Sequence, residues 1–341
     1  MRPLEQRYRR VLRLLPRWYR EQREQEMVDV LLAGTAEHDG WPERAECVSV
    51  AALAVRMRVG GVAAPPRVFA WGQAVRLLAV LGLLAHAVGA VLRLTESDAF
   101  YRLRTQQTGS IASAFDLPAR PSEWQVFVGQ VLPLLSVAAL VLLLRGKYVW
   151  ARVFAIGTLV PSVLDLFWHL SVRNFSPFAW MLDQLPLWVP VLCVLAGFHR
   201  DAPPRAGRNW MLLIVSLSVL AALVVSFVGP TVPISDLVVA VIAALSCLVC
   251  LGVLWRNSDL EPAWPLALSG LTALLAAAQA PTIYYWLSGS ARLGDLVTHE
   301  SGATVAQLII PPLTLMALGL PLAICGLRRL PNSERVPTSI A

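Results

Sequence analysis

Two hydrophobic periodicities divide this chain. Up to about Gly60 the apolar residues recur three and four apart among charged ones, the pattern of helices with one buried face. From about Val75 polar positions thin out, and apolar residues run together for roughly 20 positions at a time, the length needed to cross a ~30 Å hydrocarbon core.

In the first part, Leu4, Tyr8, Val11, Leu12 and Leu15 form one stripe that Pro16 ends. A second helix, Trp18 to about Ala33, is expected to bury Met27, Val30 and Leu31 and to close at Gly34. A third follows the HDGWPER turn, with Asp39 as a candidate cap. Its Trp41, Ala45, Val48, Ala52, Val55 and Val59 recur at alternating steps of four and three, and Gly60–Gly61 stops it. These helices predict a small bundle over residues 1–62, near the lower size limit for independent stability, followed by a connector over 63–74.

The second part contains eight segments of sufficient length and apolarity: Val75–Leu94, Trp124–Leu144, Val149–Leu170, Leu182–Phe198, Trp210–Val228, Leu237–Leu254, Pro265–Leu287 and Thr304–Leu327. They lack the sustained alternation of membrane β-strands, and a lone strand would leave its backbone unpaired in lipid. The expected fold is therefore all-α: a polytopic membrane helical bundle of about eight spans over 75–327. A three-helix cytoplasmic N-terminal domain precedes it and a short cytoplasmic tail, 328–341, follows.

Composition supports this class, since 56% hydrophobic and 15% charged residues do not describe a water-exposed globular domain. The basic start leads into polar helical sequence and not into an apolar signal core, so an uncleaved N-terminus is expected. Cys47 falls in the first part and Cys193, Cys247, Cys250 and Cys325 in or beside apolar segments, which offers no extracellular disulfide framework.

Charge orients the spans. Of the 29 basic residues, only Arg93, Arg102, Arg104, Arg120, Arg173 and Arg292 fall opposite the N-terminus when both termini lie on one side. Lys and Arg accumulate on the cytoplasmic side, so the expectation is an inner (plasma) membrane protein with both termini in the cytoplasm. The net charge of +7 then reflects topology and anionic lipid. It calls for no nucleic acid, and no nucleic-acid-binding motif is recognised.

Arg9, Arg10, Arg13 and Arg17, with nearby acids Glu21, Glu24 and Glu26, read either as a solvated, charge-laced helix surface or as a docking face for an acidic partner. In the second reading Met27 and Leu31 supply the apolar face that holds the docking module together. YRRVLRLLP, then WYREQREQEMVDVLL, then a helix ending RMRVGG resemble the HAAS-type N-terminal signalling segment of actinobacterial membrane proteins. The resemblance spans about Tyr8 to Gly60 and leaves the membrane region unassigned. It implies a regulatory or partner-binding role, often alongside a PadR-like transcription regulator, and it carries over no catalytic residue.

Ionisable groups inside spans are costly and so raise functional hypotheses. Asp165 and His169 sit four apart in SVLDLFWHL, close enough on one helical face to hydrogen-bond. They could relay protons or hold a cation; the structural reading has Asp165 contacting a neighbouring span and His169 at the membrane interface. His86, in LLAHAVGA, reads first as an interhelical hydrogen-bonding group. Cys247 and Cys250 share a face of one span, as small packing residues do. Prolines 133, 161, 186, 190, 281, 311, 312 and 321 fall within apolar runs and could free backbone carbonyls.

No Walker loop, dinucleotide glycine fingerprint, nucleophile elbow or H-E-x-x-H is present, so no enzyme activity, metal or cofactor is assigned. The expected function is a regulatory or signalling membrane protein whose N-terminal domain docks a cytoplasmic partner. The alternative is a permease or small-molecule transporter with a regulatory prefix.

Overall fold

A computed structural model describes residues 3–34, 43–60, 64–107, 131–170, 176–198, 235–256, 261–289 and 302–331. Among them there is helix and no strand. Three short helices come first: α1 (Pro3–Leu12), α2 (Arg17–Gly34) and α3 (Arg44–Arg58). Leu12, Leu15, Val28, Val50 and Ala54 are buried together at their centre, with Met27 and Leu31 packed alongside.

The expected stripe of α1 is the buried one, Tyr8 and Leu12 being almost inaccessible. The expected stripe of α3 is not. Val48 is 68% and Val55 46% exposed, and Ala45 and Ala52 also face outward, while Val50 and Ala54 face the core. On α2, Val30 is 67% exposed and Val28 takes its place inside.

Polar ties explain the rotation of α3. Tyr8 donates from its hydroxyl to Glu46 Oε2 at 2.6 Å, and Glu46 also closes a capping box with Glu43 at the helix start. Glu46 must therefore face α1, which carries Val50, one turn on, to the same side. Asp39, the candidate cap, and Trp41 lie outside the described residues.

The long apolar helices follow. α4 (Pro66–Gln107) begins inside the stretch read as a connector and runs unbroken into the first apolar segment. After a 3₁₀ turn at Leu132–Leu134 come α5 (Leu135–Leu144), α6 (Tyr148–Gly157) and α7 (Val160–Leu170). Then follow α8 (Pro177–Gly197), α9 (Ser235–Arg256), α10 (Ala263–Gly289) and α11 (Gly302–Arg328).

Among the described residues five stretches are long and apolar enough to cross a membrane: Pro66–Leu92, Tyr148–Phe167, Pro177–Gly197, Ala263–Pro281 and Ile309–Arg328. Leu132–Leu144 and Ala240–Trp255 are shorter apolar helices, and the expected segment Trp210–Val228 lies outside the described residues. The second of the five is interrupted between α6 and α7 by a turn at Thr158–Leu159, just ahead of Pro161. By contrast α8, α10 and α11 continue as helix through their internal prolines.

α4 is the hub, packing against α5, α8, α9 and α10. Between apolar helices in lipid the hydrophobic effect gives little net attraction, so close approach matters most. Small residues on α4 provide it: Ala79, Ala87 and Ala90 are buried, and Gly82 meets Pro190 of α8 so closely that a Cβ would lie 2.2 Å from the proline Cγ.

The two candidate faces of α3 make opposite predictions. Val50→Asp places a charge in a small core and should cost about 3 kcal/mol, enough to unfold the N-terminal bundle. Val48→Asp, on the exposed face, should change stability by less than about 0.5 kcal/mol. Limited proteolysis of the full-length protein checks this, with rapid cleavage within residues 3–58 expected only for Val50→Asp.

Candidate functional site

The N-terminal helices meet the long bundle at a junction built on Arg76, one turn into the apolar part of α4. Its side chain is only 4% exposed. Nε donates to the carbonyl of Gly197 at 2.9 Å and Nη2 to the carbonyl of Gly60 at 2.8 Å. Gly197 is the last residue of α8, and Gly60 follows the C-cap of α3.

Helix C-termini end in carbonyls without intrahelical partners and carry partial negative charge. A guanidinium reaches two of them from separate nitrogens held in one planar fork, whereas an ammonium would have to serve both from a single atom. Arg152 of α6 adds a second cation at the same helix end, its Nη2 donating to the Phe198 carbonyl. The Tyr148 ring lies 5.7 Å from that of Phe198. Three long helices and α3 thus converge on residues 197–198.

Backbone shape makes the approach possible. Gly60 has φ +84°, the left-handed conformation that ends a helix. Gly72 of α4 sits against the Val59 carbonyl, and a Cβ there would lie 1.7 Å from the oxygen. Any side chain at 72 pushes α3 off α4.

The residues singled out from sequence take varied places. Arg9 is engaged within the N-terminal bundle, donating to Glu5 at 3.0 Å and to Gln25 at 3.1 Å, with Glu24 at 3.8 Å. It ties α1 to α2. Arg10 and Arg13 are exposed, and Arg17 is exposed while paired with Glu21 of its own helix at 2.7 Å. Met27 and Leu31 are partly buried beside the core.

Asp165 contacts the next helix. Its Oδ2 accepts a hydrogen bond from Trp180 Nε1 of α8 at 2.9 Å, and the side chain of His169 lies outside the described residues. Two turns along, Trp188 Nε1 donates to Ser162 Oγ at 2.9 Å, so α7 and α8 are joined by two indole hydrogen bonds. His86 is half-buried on α4 among Ala85, Ala87 and Gly89. Cys247 and Cys250 are buried against Leu268 of α10 and Leu322 of α11. Among the described residues no three His, Cys, Asp or Glu side chains group as metal ligands.

Sequence reasoning missed Arg76 as a contact, counting it with the topological arginines. One signal was present: it stands nine residues beyond Arg67, within an apolar run where a charge needs a partner. Set against protein-family models, curated proteins and solved structures, the chain finds no match.

Arg76→Gln should leave two buried carbonyls without their charged donor and cost about 2–3 kcal/mol, with Arg76→Lys retaining part of that stability. Protease access to residues 61–65 in the full-length protein should rise in the order wild type, Lys, Gln; equal rates would remove the clamp. At the second contact, Asp165→Asn keeps an acceptor for Trp180, whereas Trp180→Phe removes the donor. Thermal unfolding in detergent should show Asn close to wild type and Phe destabilised by about 1–2 kcal/mol. The reverse order would assign the charge of Asp165 a role outside this contact.

Proposed function

We propose that this chain is a regulatory membrane protein in which the N-terminal helices dock a partner and the apolar bundle lies in the bilayer. The single observation that carries this is the Arg76 junction. A prefix serving only as a topological anchor needs charge, but no buried guanidinium holding the end of α3 to the end of α8. That connection makes the position of the N-terminal bundle depend on how α4 and α8 pack, and the packing in turn depend on what the bundle binds.

In this reading the bundle has about eight spans with both termini in the cytoplasm of the inner membrane, on the Lys/Arg distribution. The exposed Arg10, Arg13 and Arg17 offer an acidic partner its approach surface. A cytoplasmic PadR-like regulator is the partner suggested by the HAAS-type resemblance. Asp165 held by an indole N–H supports a helix-contact role for that carboxylate in preference to a transport pathway.

Orientation and docking can be tested together on the full-length protein. In a cysteine-free background, single cysteines at 148 and 204 should resist a membrane-impermeant thiol reagent in intact cells and react once the cells are opened. Labelling from outside would reverse the topology. Arg10→Glu with Arg13→Glu should preserve the fold, since neither contributes to the small core, yet lower recovery of cytoplasmic partners more than tenfold. Unchanged recovery of every partner would retire the docking surface.

A further inference from the structure

The hairpin of α5 and α6 leaves a groove of about 850 Å³ against α4, open along one side. Val137, Val141 and Leu142 of α5 and Trp150 and Phe154 of α6 line it, and Lys147, in the turn between the helices, is the one charged residue at its wall among the described residues. The α5 wall from Leu134 to Leu142 is ~12 Å long at ~1.5 Å per residue. The groove is therefore an elongated apolar slot with a cation at one end.

The depth of that end follows from its neighbours. Lys147 adjoins Tyr148, whose ring meets Phe198, and Phe198 follows the Gly197 carbonyl held by Arg76 beside α3. The charged end of the slot thus lies at the face of the bundle that carries the N-terminal helices, and the slot runs from there along α5 toward Leu134. Arg145 and Lys147 are both exposed, and neither forms an ion pair among the described residues. Val149, Trp150 and Val153 continue the apolar surface outward beside the slot, being 65%, 59% and 54% exposed.

We infer that this groove binds one anionic phospholipid, with an acyl chain along α5 and α6 and its phosphate at Lys147 and Arg145. Walls this apolar suit a hydrocarbon tail, since besides Lys147 the indole of Trp150 is the one polar side-chain group among the described lining residues. Lys147 at the wall and Arg145 two residues before it, neither in an ion pair among the described residues, match a headgroup with net negative charge and give a zwitterionic one no advantage. Trp150, three residues after Lys147 and 59% exposed, adds an indole, a group that favours the boundary between headgroups and tails. This inference rests on the reading that places the bundle in a bilayer, and not on the partner or the direction of insertion.

The test uses full-length protein extracted in mild detergent and supplied with dioleoyl phosphatidylglycerol or dioleoyl phosphatidylcholine, with bound lipid counted by native mass spectrometry. The wild type should retain one phosphatidylglycerol in preference to phosphatidylcholine. Each basic residue near the headgroup is worth a factor of about five. Lys147→Gln should therefore lower that preference about fivefold while leaving the acyl slot intact. Ala138→Trp and, separately, Val141→Trp fill the slot and should abolish retention of the single lipid. If Lys147→Gln keeps the wild-type preference, or if either tryptophan variant elutes as a single species and still holds the lipid, the site is overturned. Release of the protein from membranes by an alkaline wash would instead defeat the bilayer reading itself.

Discussion

A charge buried at 4% exposure is stable only where the surroundings replace the water it has lost. At Arg76 the replacement is the carbonyl ends of two helices, and much of the molecule's geometry follows from keeping them in place. α8 must finish at Gly197 for its carbonyl to be available, α3 must end in a left-handed glycine to turn its own carbonyl inward, and α4 must have no side chain at 72. These requirements come from three distant parts of the sequence, and loss of one exposes the others.

Around that point the bundle packs by closeness more than by apolarity. α4 meets α5, α8, α9 and α10 with leucines set among alanines and a glycine, and specific polar contacts add to this: two indole donors between α7 and α8, and Arg152 on the Phe198 carbonyl. In an apolar solvent such contacts select which helix faces meet, because every face is greasy and only some carry a donor and acceptor in register.

The helices themselves were legible in the sequence because their causes are local. Periodicity placed α1 and its buried Tyr8 and Leu12, and apolar length marked the five stretches that are long enough to cross a membrane among the described residues. The buried face of α3 was not legible: its alanines and valines lie on most sides, so two stripes fit the spacing equally. The choice between them was made by Glu46 reaching Tyr8, 38 positions away. Arg76 failed to stand out for the same reason, since its partners are 16 and 121 positions away and are main-chain atoms that any residue type would provide. Asp165 was conspicuous as an isolated carboxylate, but its indole partner on the next helix is a tertiary contact that local spacing does not carry, and the side chain of His169 lies outside the described residues.

The length of α4 has a mechanical consequence. It is a single helix of 42 residues, ~63 Å at ~1.5 Å per residue, about twice the ~30 Å hydrocarbon thickness. A continuous α-helix resists torsion, because twisting one end against the other strains its whole ladder of hydrogen bonds. Any turn about the axis imposed near Arg76 must therefore reappear around Gln107, far from where it was applied, as in a drive shaft.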